Sequence, residues 1–71
     1  MDYVERKQAM YNLLEKVLKK SDTGLSEAEL IYLITNELAV SELAIKRRIE
    51  LLRTLDKVDY DLSTEAYKWR K

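Results

Sequence analysis

Lys46, Arg47, Glu50 and Arg53 crowd into two helical turns, and Leu43 stands just ahead of them. Such a cluster can hold a partner by charge and hydrogen bonding, but it supplies no nucleophile with an adjacent base. The chain has no histidine, which removes the commonest general base and metal ligand, and no cysteine. Asp59 and Asp61, at i and i+2, face one side of a strand and could hold a divalent cation. Two carboxylates without further oxygen ligands make a poor metal site, and charges on an edge strand commonly guard against aggregation. No glycine-rich loop is present to cradle a phosphate. The residues therefore imply no enzyme, no metal and no cofactor. They leave non-covalent recognition, of DNA or of something else.

The elements that position this cluster follow from periodicity. Ile45, Ile49 and Leu52 repeat at i, i+4 and i+7, with Leu55 one turn on, and predict a helix over residues 41–55 capped by Ser41. Upstream, residues 3–20 read as a first helix. Its stripe is Val4, Met10, Leu13, Leu14, Val17 and Leu18, Asp2 is its cap, and Lys16, Lys19 and Lys20 sit near its C-terminus, where the macrodipole favours cations. Ser21-Asp22-Thr23-Gly24 breaks that helix, with Gly24, the only glycine, in the left-handed conformation. Leu25 alone could pair with a later hairpin. Ser26 and Glu29 form a capping box for a helix over residues 27–37, which buries Leu30, Ile31, Leu33 and Ile34. Residues 57–70 read as a hairpin. Val58, Tyr60 and Leu62 alternate with the aspartates, Ser63-Thr64-Glu65-Ala66 turns over about four residues, and Tyr67-Lys68-Trp69-Arg70 alternates again.

Seventy-one residues make one small domain near the lower limit for a single hydrophobic core. With 46% hydrophobic and 37% charged residues, the chain is folded rather than disordered. No apolar run spans a membrane and no signal peptide is seen, which predicts a cytoplasmic protein. The net charge of zero hides polarity. Residues 1–20 carry five basic and three acidic groups, a balance of +2; residues 21–44 carry five acidic groups and no basic one, −5. Residues 45–57 carry five basic and two acidic, +3, and residues 58–71 balance at three each. A dipolar chain can orient a partner without net charge.

Helix, short strand, helix-turn-helix and hairpin, in the stretch LSEAELIYLITNELAVSELAIKRRIELLRTLDKVDYDL and the closing YKW, resemble the winged helix-turn-helix family over nearly the whole chain. Val40-Ser41, Ile45, Ile49, Leu52 and Val58 carry the spacing. The size is similar to the small stand-alone members of archaea and of their plasmids and viruses. Two positions depart from the family: many members have glycine where Ala39 and Asp56 stand. The resemblance implies a mostly helical fold with a small β-hairpin, and a DNA-binding transcription regulator. Ser41 would cap the third helix as it enters the major groove. Lys46 and Arg47 would read guanine O6 and N7, and Leu43 would press on a thymine methyl. Glu50 would face a cytosine amine or pair back with Lys46 or Arg47. Arg53 and Lys57 would reach phosphate, and Lys68, Arg70 and Lys71 would make the wing's backbone contacts. Arg48, nearer the apolar stripe, would snorkel to the helix edge.

A homodimer on a palindromic duplex would meet through the first helix at Tyr3, Met10 or Tyr11, although the two tyrosines, off the centre of the stripe, also suit packing at the core margin. The −5 segment favours a different outcome, a winged-helix protein-interaction module such as an accessory subunit of a replication or transcription complex, with the acidic second helix and Leu43 as contact surface. A C-terminus without strands would instead suit a short antiparallel helical dimer.

Overall fold

A computed structural model describes residues 3–70, with helices α1 (Tyr3–Lys20), α2 (Glu27–Glu37) and α3 (Glu42–Thr54) followed by strands β1 (Val58–Asp61) and β2 (Ala66–Trp69). Three helices and an antiparallel hairpin, with Val58 opposite Trp69 and Asp61 opposite Ala66, give the expected winged helix-turn-helix layout and exclude the strandless helical dimer. Asp2, Lys71 and the side chain of Tyr3 lie outside the described residues.

Local chemistry sets the helix ends. Ser26 Oγ accepts from the Glu29 N–H while the Glu29 carboxylate accepts from the Ser26 N–H, each at 3.2 Å, which completes the capping box. Ser41 Oγ accepts from the Ala44 N–H at 3.1 Å and starts α3. At the other end of α3, the Asp56 N–H reaches the Arg53 carbonyl and the Lys57 N–H reaches Leu52, a Schellman closure. Asp56 takes the left-handed backbone this requires, with φ 58°. Ala39 does not take it. The Val40 N–H instead donates to the Leu38 carbonyl at 2.9 Å, so an inverse γ-turn centred on Ala39 joins α2 to α3 at negative φ.

The core is shared by every element. Leu14 and Leu18 from α1, Leu30 and Ile34 from α2, and Ile45, Ile49 and Leu52 from α3 are essentially fully buried, and Val58 and Tyr67 close it from the hairpin. Three expected core positions fall outside. Val4 is exposed because it lies six residues before Met10, about 120° around the helix from the buried stripe. Leu55 caps α3, where the backbone leaves the helix and carries the side chain off the stripe. Leu62 is exposed because the turn begins one residue early, at Leu62–Glu65. Asp61 Oδ1 accepts from both the N–H and the hydroxyl of Ser63, an Asx turn that ends β1.

Leu25 and Tyr67 exchange two backbone hydrogen bonds, at 2.9 and 2.7 Å, so Leu25 is a one-residue strand on the outer edge of β2. Gly24 permits that approach. Its φ is +88°, and a Cβ there would meet the Tyr67 carbonyl oxygen at 2.8 Å and the Lys68 side chain at 2.9 Å. Gly24→Ala combines left-handed strain with a backbone clash, and a loss of about 2–4 kcal/mol is expected. Urea unfolding followed by circular dichroism measures it; a loss under about 0.5 kcal/mol would mean the bridge is not constrained at this position.

Candidate nucleic-acid interface

The face of α3 opposite Ile45, Ile49 and Leu52 carries Leu43, Arg47 and Glu50 at i, i+4 and i+7, all exposed. Arg47 stands at its centre and makes no ion pair among the described residues. Ser41 is exposed at the start of this face, but its oxygen is engaged as the helix cap.

Three other cations expected to contact DNA are occupied. Lys46 lies 3.7 Å from Glu27 on α2 and 3.5 Å from Glu42 one turn back. Arg53 pairs with Glu50 at 3.8 Å and lies over the Tyr60 ring, 5.4 Å from its centre. Glu50 is thus committed forward to Arg53 rather than back to Lys46 or Arg47. Arg70 is held between Asp56 (3.5 Å) and Asp59 (3.8 Å). Each exposed pair contributes only about 0–1 kcal/mol to stability, yet it cancels charge where phosphate would have to approach. Lys57 and Lys68 are exposed and form no ion pair among the described residues, with Lys68 opposite Asp59 in the hairpin register. The wing tip is acidic and apolar: Asp61, Leu62 and Glu65.

Positive side chains also gather on the α1 side of α3. A groove of about 680 Å³ runs between the two helices, lined by Arg6, Lys7 and Met10 from α1, by the Ala39–Ser41 turn, and by Ala44, Arg47, Arg48 and Leu51 from α3. Among the described residues, Arg6, Lys7, Arg47 and Arg48 line it and no acidic side chain does. Arg48 is half-buried, its Nε shielded from solvent with no hydrogen-bond acceptor. Arg6 was not singled out from the sequence. Its signal was there: it lies one turn before Met10 and two before Leu14, on the extension of the core stripe, so it must emerge beside whatever α1 packs against.

The dimer surface expected on α1 is largely used within the molecule. Met10 is 4% exposed and belongs to the core. Tyr11 is half-buried and packs edge-on against Trp69, ring centres 6.2 Å apart, so it lies at the core margin. Tyr67 and Trp69 likewise serve hairpin packing: Tyr67 sits 4.7 Å from the Tyr60 ring, and Lys19 covers Trp69. Burial foremost, and then the charge of Glu27, raises the Tyr67 hydroxyl above the ordinary phenol range. Among the described residues no three carboxylates come together as a metal-ligand set. No helix there is long and apolar enough to cross a membrane.

The chain matches no protein-family model, no curated protein and no solved structure.

The unpaired Arg48 Nε has a thermodynamic signature. Arg48→Met keeps the apolar stem and removes the unsatisfied donor, so stability should hold or rise, whereas Arg48→Ala should cost about 1 kcal/mol of lost packing. Thermal melts of both variants measure this; a destabilised Met variant would show that the guanidinium has an acceptor.

Proposed function

We propose that this chain is a duplex-DNA-binding protein of the winged helix-turn-helix family, a sequence-specific transcription regulator of the cytoplasm that docks the first two turns of α3 in the major groove. The observation that carries this is the position of Arg47: central on the exposed face of α3, free of carboxylates, and flanked by Arg6 and Arg48. Arg47 suits guanine O6 and N7, and Leu43 suits a thymine methyl. Arg6 supplies a backbone contact on one side, and Lys57 and Lys68 supply others toward the wing. Lys46, Arg53 and Arg70 join only by exchanging a carboxylate for a phosphate, so they add little net attraction. Two copies on a palindromic site would set their α3 helices one duplex turn apart.

A protein-interaction module is the second reading. The acidic wing tip favours it, and so does Tyr32, 66% exposed on a helix that has glutamates at positions 27, 29 and 37 and no basic residue.

Anisotropy titrations of labelled random duplex pools at two salt concentrations separate the two. A regulator enriches a sequence, and Arg47→Ala should then lose about 1–3 kcal/mol at one base position. Arg6→Ala and Lys68→Ala should weaken all sequences alike and each lower the salt slope by about one. Unchanged binding in Arg47→Ala would overturn the docking mode, and no duplex binding at low salt would leave the protein-interaction module.

A further inference from the structure

Two surfaces complement one another, one remote from the docking face of α3 and one that shares Arg47 with it. One is the wing tip. Leu62 is 83% exposed, the most exposed of the large hydrophobic side chains in the described chain, and Asp61 and Glu65 flank it within the same turn. The tip is held in one shape, because the Asp61 carboxylate accepts from the Ser63 N–H at 2.9 Å and from its hydroxyl at 2.7 Å. Those hydrogen bonds also lower the Asp61 pKa. The other surface is the α1–α3 groove. Its lining combines apolar Val40, Ala44 and Leu51 with Arg6, Arg47 and Arg48, and the buried Arg48 Nε lacks an acceptor. An apolar knob between two carboxylates fits an apolar hollow between arginines. The tip does not line the groove of its own molecule, so the match can be made only between copies.

We infer that the wing tip of one copy docks in the α1–α3 groove of a second copy, with Leu62 against its apolar lining and Asp61 and Glu65 meeting the arginines. The contact pairs unlike surfaces, so it either repeats from copy to copy or closes reciprocally. It does not depend on DNA binding, although an occupied groove would cover Arg47. A hairpin tip buries well under the roughly 1,200 Å² of a stable interface, so the association is weak and is expected at about 0.1–1 mM protein.

Sedimentation equilibrium of the full chain at low salt, up to about 1 mM, tests this. The wild-type mass should rise with concentration, whereas Leu62→Asp, which lacks the knob, and Arg47→Glu, which spoils the socket, should each stay monomeric. Both positions are exposed, and circular dichroism checks that both variants are folded. Mixing the two monomeric variants should restore a dimer that grows no further, because one keeps the socket and the other the knob. A wild-type monomer across the whole range, a Leu62→Asp variant that associates like wild type, or a mixture that stays monomeric would each overturn the inference. A monomer whose melting temperature rises with added dodecanoate would assign the groove to a small anionic amphiphile instead.

Discussion

Everything in this molecule depends on one shared core. Seventy-one residues without a disulfide cannot support two cores, so each helix must contribute to the same one. Leu14, Leu30, Ile34, Ile45 and Leu52 retain no exposure at all, and Val58 and Tyr67 seal the side the helices leave open. At about 1.5–3 kcal/mol for each large side chain buried, the loss of any one is comparable to much of the net stability of a domain this small. The exposed face of α3 is a by-product of the same packing. With Ile45, Ile49 and Leu52 turned inward, Leu43, Arg47 and Glu50 can only turn outward.

The features legible in the sequence are those set by near neighbours. The capping box at Ser26 and Glu29, the cap at Ser41, the left-handed position at Gly24 and the inward stripes all follow from interactions within a turn or two. Even the isolated pairing of Leu25 could be anticipated, since a lone apolar residue between a glycine and a helix cap has few other uses. What was not legible lies across elements. Glu27 and Lys46 are nineteen positions apart, and Arg70 meets Asp56 only once the hairpin is closed. A count of basic residues along α3 therefore overstates the charge it presents. The turn at Ala39 escaped for a different reason: a glycine-free sequence can reverse direction through an inverse γ-turn, which needs no left-handed residue.

The pairing pattern divides the surface. Toward α2 and the wing, Lys46, Arg53 and Arg70 are each held by carboxylates, while Lys57 and Lys68 form no ion pair among the described residues. Toward α1, cations line an apolar groove with no acid among its described residues. A chain of zero net charge thus has a sided field, and its orientation toward a charged partner is set by where the carboxylates stand, not by how many there are.

The Leu25–Tyr67 bridge also bears on the order in which the chain assembles. Its partners are 42 positions apart, whereas the helices and the hairpin are stabilised first by contacts close in sequence. Closing so long a loop costs entropy that only the packed helices can repay, which places the bridge among the last contacts to form. The reverse holds when the native molecule fluctuates. The hairpin, last to dock, is then expected to be the first element to loosen, its amides exchanging before those of α3.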